Sequence, residues 1–140
     1  MTDAKTLLAA AIAARRAAYA PYSNFSVGAA LLARDGRVFT AANVENASYG
    51  LSMCAERIAV FAAVAAGNRT FDAIAVAGPS GTLTMPCGAC RQVLWEFAPS
   101  LRVVYAEASG GTKIVPLADL LPAAFGPAQL QEGAGRGTGT

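Results

Sequence analysis

The sequence predicts an α/β sandwich built on a mixed sheet. Three observations carry that expectation. Short apolar runs of strand length alternate with longer Ala- and Leu-rich runs of helix length. An Asp35-Gly36 pair stands between two apolar runs, which signals a hairpin and so an antiparallel pair. A largely apolar run, residues 71–77, is separated from the next strand by a helical segment, as a crossover between parallel strands requires.

Taken in order, residues 2–20 read as a first helix that stops at Ala20-Pro21, because the residue before proline avoids the helical region. Residues 26–33 and 38–44 flank Arg34-Asp35-Gly36-Arg37 and read as strands joined by a two-residue hairpin. Residues 52–67 are predicted to be a second helix, with Ser52 as N-cap and Gly67 as its stop. Residues 71–77 form a buried strand that closes at Gly78-Pro79. A third helix falls within 86–98, a fourth strand at 101–106 and a short helical turn at 116–121. Residues 1–125 are expected to form one domain. From Gly126 onward the chain holds five of its fourteen glycines and almost nothing apolar, so a tail without structure is expected there. The second helix carries Ile58, Val60, Phe61 and Val64 with five alanines between 59 and 66, which leaves it almost no polar face. Such a helix is covered on all sides, either inside the sandwich or by a second copy of the chain.

Composition removes several classes of function. With 140 residues, 54% of them hydrophobic, the chain has ample surface for one core. A net charge of +2 with scattered basic residues argues against a polynucleotide partner, which needs a clustered basic face. Uncharged stretches are broken by Gly, Pro and Asn, so no membrane span is expected. Residues 7–14 could mimic the apolar part of a signal peptide. However, Asp3 precedes them and Arg15-Arg16 follows, where small residues would mark a cleavage site. The three cysteines are an odd count and make no disulfide framework, so a cytoplasmic location is expected. With no histidine at all, imidazole chemistry is excluded, from Ser-His-Asp triads to HExxH zinc sites. Proton transfer must then fall to a carboxylate, a thiolate, a lysine, a tyrosine or a metal-activated water.

The cysteines are the strongest candidates for chemistry. Cys87 and Cys90 lie three apart in Pro86-Cys87-Gly88-Ala89-Cys90, and residues three apart share a helix face. Cys54 opens Cys54-Ala55-Glu56 on the other helix. Three protein ligands leave a tetrahedral zinc with one open position, the arrangement of catalytic rather than structural sites. Both segments start helices, where the backbone N–H groups and helix dipole favour thiolates. Three thiolates leave a net charge of about −1 on such a zinc, which blunts its acidifying power, and Arg57 is placed to offset it. Taken alone, Cys54 could be an ordinary small buried hydrophobe and Arg57 a solvated helix charge. Glu56 does not fit a capping box from Ser52, since that position is Ala55, and in an apolar helix end its pKa should rise.

These residues sit within separated motifs that together resemble the cytidine deaminase family, in its small homotetrameric type with an all-cysteine zinc site. The motifs are Tyr22-Ser23-Asn24-Phe25-Ser26-Val27-Gly28-Ala29-Ala30, Asn43-Val44-Glu45-Asn46-Ala47-Ser48-Tyr49, Cys54-Ala55-Glu56-Arg57, Pro86-Cys87-Gly88-Ala89-Cys90-Arg91-Gln92 and Leu120-Leu121-Pro122. The resemblance implies a three-layer α/β/α sandwich with a mixed sheet of about five strands. It implies one Zn²⁺ per subunit on Cys54, Cys87 and Cys90, with Glu56 carrying protons between water, ring nitrogen and leaving amine. It further implies that Arg57 balances thiolate charge, that Phe25 packs on the pyrimidine, and that Asn43 and Glu45 hold the ribose. The backbone of Ala55 would orient the base, and Phe125 would close a neighbouring subunit's pocket in a homotetramer. The activity implied is hydrolysis of cytidine and 2′-deoxycytidine to uridine and 2′-deoxyuridine plus ammonia, in pyrimidine salvage, on free nucleosides. Two other readings stand beside it. One is a blasticidin-type deaminase of aminonucleoside antibiotics, which shares the zinc and glutamate motifs. The other is a non-catalytic zinc-stabilised interaction module, which would need a fourth protein ligand and no Glu56. A tRNA or polynucleotide deaminase is disfavoured, because that group usually has His where Cys54 stands.

Overall fold

The computed structural model describes residues 2–131. Helix α1 (Ala4–Ala14) and a 3₁₀ turn (Arg15–Ala17) precede strands β1 (Gly28–Ala33) and β2 (Val38–Ala42). Helix α2 (Ala55–Ala65), strand β3 (Phe71–Ala77), helix α3 (Gly88–Phe97) and strand β4 (Arg102–Ala106) follow, then strand β5 (Thr112–Pro116) and the single-turn helix α4 (Leu117–Leu120). The strands make one five-stranded sheet in the order β2-β1-β3-β4-β5. Only β3 and β4 pair in parallel, with α3 as their crossover; the remaining pairs are antiparallel. The sheet is therefore mixed, as the hairpin and crossover signals predict. No helix among the described residues is long and apolar enough to cross a membrane.

Burial on both sheet faces explains why β1 is apolar at every position rather than at alternate ones. Ala29, Leu31 and Ala33 point to the side covered by α2 and α3, where they pack with Ile74, Val76, Leu94 and Val103. Ala30 and Leu32 point the other way, toward Leu7, Leu8 and Ala11 of α1. The α1 side of the sheet is lined by Ala30, Ala73, Ala75 and Ala77, so the helix settles close to the strands. At Gly28 the approach is closest: a Cβ there would lie 2.0 Å from the Ala11 carbonyl oxygen and 2.8 Å from the Arg15 nitrogen. Asp3 caps α1 by accepting a bond from the Thr6 N–H at 2.8 Å. At its other end, Arg15 donates to the Ser26 carbonyl at 2.9 Å and ties the helix to the segment entering β1.

Several expected boundaries are corrected. The first helix ends at Ala14 and not at residue 20, because Tyr19 is taken up by a backbone bridge to Val44. The hairpin loop has three residues rather than two. The Ala33 N–H pairs with the Arg37 carbonyl, and Gly36 at φ +96° follows a turn closed by its own bond to Ala33. Ser52 does not cap α2; Cys54 holds the N-cap position, and the Ser52 hydroxyl accepts from the Asn46 N–H instead. Gly67 does end α2, at φ +89°. The fifth strand, β5, went unassigned from the residues, its five positions being exposed or half-buried and so lacking an apolar pattern. Where a tail without structure was expected from Gly126, residues 127–131 are helical; residues 132–140 lie outside the described residues.

Gly28→Ala should therefore destabilise the protein by about 2–3 kcal/mol, since the methyl meets backbone that cannot swing aside. Differential scanning calorimetry should show a fall in Tm of roughly 5–10 °C.

Candidate metal centre and active site

The N-termini of α2 and α3 meet, and this brings the three cysteines together. Cys54 is the N-cap of α2 and Cys87 the N-cap of α3, while Cys90 lies in the first turn of α3. Their sulfurs all lie within 4.8 Å of one another, with Cys54–Cys87 at 3.8 Å and Cys87–Cys90 at 3.4 Å. With Zn–S distances of about 2.3 Å, sulfurs on a tetrahedral zinc are about 3.8 Å apart, so the cluster has the size to hold that ion. Neither N-cap thiol makes a capping bond to its helix, which leaves both sulfurs free for the cluster. Cys90 is buried, Cys54 half-buried and Cys87 exposed, so the cluster opens on the Cys87 side.

The electrostatics agree with that assignment. The Cys54 thiol is pushed down to about 5, chiefly by a hydrogen bond from Cys90 and further by Arg57. Cys90 is pushed well above the usual thiol range by the same contact with Cys54 and by burial. The shifts are opposite because Cys54 and Cys90 share one hydrogen bond, so one negative charge is held by this pair more readily than two. Arg57 Nη2 donates to Cys54 Sγ at 3.3 Å, and that bond raises the guanidinium's own pKa. Its Nε is buried without a hydrogen-bond partner.

Glu56, the second residue of α2, is only 4% exposed. Burial is the main cause that raises its pKa to about 7, and the neighbouring Cys54 charge adds to it. A carboxyl group in that range can take up and release a proton near neutral pH.

A cavity of about 310 Å³ extends from the thiols, within the usual range for a small-molecule site. Phe25, Asn43, Glu45, Ala55 and Glu56 line it beside Cys54 and Cys87, so most of the residues singled out in the sequence share one space. Asn43 accepts from the Val27 N–H at 2.9 Å and donates to the Phe25 carbonyl at 2.8 Å. Glu45 accepts from the N–H groups of Tyr22 and Ser23 at 3.0 and 3.1 Å, and from the Ser23 hydroxyl. Those bonds, the hydroxyl's foremost, hold its carboxyl below the ordinary range. Thr84 and Met85 also line the cavity and were not anticipated; their position just before Pro86-Cys87 was the available signal.

Phe125 does not reach this cavity. It is 57% exposed, and its carbonyl accepts a bond from Gln92 at 2.8 Å. Arg91 fastens the same region, donating to the Pro86 carbonyl at 2.7 Å and to the Leu120 carbonyl at 2.9 Å. The two residues after Cys90 thus anchor both the cysteine loop and the C-terminal segment.

Cys87 is exposed, so Cys87→Ala costs little packing and isolates the metal's contribution to stability. The purified variant should lack stoichiometric zinc by atomic spectroscopy. A chelator should lower the Tm of the zinc-loaded parent, in proportion to a linkage of about 3 kcal/mol at hundredfold saturation, and leave that of the variant unchanged.

Comparison with known proteins agrees with this geometry. Residues 1–107 match the family described as the cytidine and deoxycytidylate deaminase zinc-binding region. A cytidine deaminase of Halalkalibacterium halodurans is 49% identical over 124 residues, 88% of this chain and 94% of that protein. The crystal structure of cytidine deaminase from Burkholderia pseudomallei is similar at a TM-score of 0.83 and 55% identity, covering 89% of this chain and 100% of that one. The Mycobacterium tuberculosis cytidine deaminase structure is similar at 0.79 and 44% identity, over 90% and 99% of the two chains. A three-thiol centre beside a buried carboxyl group and matches of this extent have one common reading: the chain belongs to the cytidine deaminase family.

Proposed function

We propose that the protein hydrolyses cytidine and 2′-deoxycytidine to uridine and 2′-deoxyuridine, releasing ammonia in pyrimidine salvage. The observation that carries this reading is Glu56: a buried carboxyl group sharing one cavity with the thiol cluster and with the Phe25, Asn43 and Glu45 set. Cys54, Cys87 and Cys90 would hold a Zn²⁺, which would supply a Lewis acid and lower the pKa of the attacking water. Glu56 takes the proton of that water as its oxygen bonds to C4, and passes it to N3 of the ring. Glu56 then takes the remaining proton of the hydroxyl now on C4 and delivers it to the amine, so that the C4–N4 bond breaks, the C4 carbonyl forms and ammonia leaves. Arg57 offsets the thiolate charge that would otherwise weaken the metal's pull on water. The Ala55 backbone orients the base and Phe25 packs on it, while Asn43 and Glu45 hold the sugar. A carboxylate at the sugar repels a phosphate, which favours free nucleosides over nucleotides or strands.

The working assembly is a homotetramer in the cytoplasm. Phe61 is 49% exposed on an α2 face shared with exposed Ala62 and Ala65, an apolar surface that a second copy would cover. Phe125, exposed and not lining its own cavity, is available to close a neighbour's. Three unpaired thiols suit a reducing compartment.

Glu56→Gln keeps the shape of the side chain but removes its proton chemistry. It should retain zinc and fold while losing at least about a hundredfold in kcat on cytidine, followed by ultraviolet absorbance and ammonia release. Substantial turnover by that variant would overturn the role. A zinc-replete parent inert toward cytidine would turn attention to blasticidin-type substrates. A fourth protein ligand seen by metal spectroscopy would instead favour an interaction module. Phe61→Asp should shift the species seen by sedimentation velocity from tetramer to smaller forms, with activity falling in parallel.

A further inference from the structure

We infer that Ser23 is a positioning residue of the sugar site, whose hydroxyl locks the Glu45 carboxylate so that a single acceptor position faces the substrate. The inference rests on the proposed role of Glu45 at the sugar, and concerns a residue to which the chemistry above gives no part.

Residues 21–25 are exposed, so packing does little to fix them. Asn24 turns the segment at φ +56°, a conformation that asparagine tolerates better than most residues. Beside the Tyr22–Tyr49 ring contact and the Asn43 bond to the Phe25 carbonyl, a closed set of hydrogen bonds holds the segment against the strand end. Tyr22 and Ser23 N–H groups donate to Glu45 Oε1 at 3.0 and 3.1 Å, and the Ser23 hydroxyl donates to Oε2. The Ser23 oxygen accepts in turn from the Phe25 N–H at 3.0 Å. A hydroxyl carries one proton, and here it is committed to Glu45. The direction is therefore set: Phe25 N–H to Ser23, and Ser23 O–H to the carboxylate.

Lone pairs decide what remains. An ionised carboxylate offers about four acceptor positions, and three on Glu45 are filled from within the chain. One position, on Oε2, is left for a sugar hydroxyl. Without the Ser23 hydroxyl, Oε2 would have two open positions, and only the two N–H bonds to Oε1 would orient the carboxylate. Water would compete for both, and substrate would have to order the carboxylate on binding. The same hydroxyl registers Phe25 through its N–H, so a smaller effect on base packing accompanies the larger one on the sugar.

The test compares the parent, Ser23→Ala and Ser23→Thr on cytidine and on 2′,3′-dideoxycytidine, which offers Glu45 no ring hydroxyl. Ser23→Ala should raise KM for cytidine about tenfold, the factor expected for one hydrogen bond to a charged group, with kcat changed less than about threefold. For the dideoxynucleoside, KM or the competitive inhibition constant should move by less than about threefold, because the carboxylate is not used. Ser23→Thr keeps the hydroxyl and should restore most of the cytidine KM. An equal change for both nucleosides, a loss confined to kcat, or no rescue by threonine would overturn the inference while leaving the proposed function intact. A zinc-loaded parent inert toward cytidine would overturn both. Melting curves of each variant, expected to match the parent, separate loss of position from loss of fold.

Discussion

Three sulfurs within 4.8 Å of one another cannot all carry charge unless a cation stands among them, and the fold is arranged around that constraint. Two helices are made to begin at the same place, which aims two sets of unpaired backbone N–H groups toward the cluster. Cysteines take the cap positions that Ser, Asp or Asn would normally fill, and their sulfurs make no cap bond. The ordinary capping contribution is given up so that the sulfurs face one another. Arg57 then adds a fixed positive charge where a solvated lysine or arginine would otherwise have been unremarkable.

The same constraint places the acid–base group. Glu56 follows Cys54 by two residues, so it enters the helix just as the chain turns inward and is buried by the cavity wall. Its raised pKa comes from burial first and from the Cys54 charge second, so the chemistry of the cluster and the readiness of Glu56 share one origin. Across the cavity, Asn43 and Glu45 are each bonded to the segment that carries Phe25. The two ends of the site are thus built by different means, one by helix starts and one by a hydrogen-bonded loop.

Much of this was legible in the sequence, for reasons that differ from element to element. Strand β3 is legible to its observed limits because it is apolar at every position but Asp72 and is closed by Gly78-Pro79. The cysteines were legible because their spacing is a statement about helix faces, and Arg57 because it adjoins them. Strand β5 was not, since an edge strand with exposed positions has no period to detect. The end of the first helix was misplaced because Tyr19 leaves it for a backbone bridge to Val44, a pairing made at long range. The part played by Ser23 is not legible in the sequence, because a serine in a polar turn looks like any other until the fold brings its hydroxyl to the Glu45 carboxylate. Phe125 was named from the resemblance, and nothing in its own neighbourhood would have singled it out.

The alanine-lined contact between α1 and the sheet bears on how this protein could be engineered. Filling small gaps with larger apolar side chains is a common way to gain stability. On the α1 face that route is closed, because Ala30, Ala73, Ala75 and Ala77 set the spacing between helix and sheet and Gly28 already touches the helix backbone. Added methylenes would lever the helix outward and carry Arg15 away from Ser26, loosening the approach to the segment that holds Phe25 and Ser23. Room for change lies instead at exposed positions of α1 such as Ala9 and Ala13, where a longer side chain meets solvent and the alanine ruler beneath is left alone.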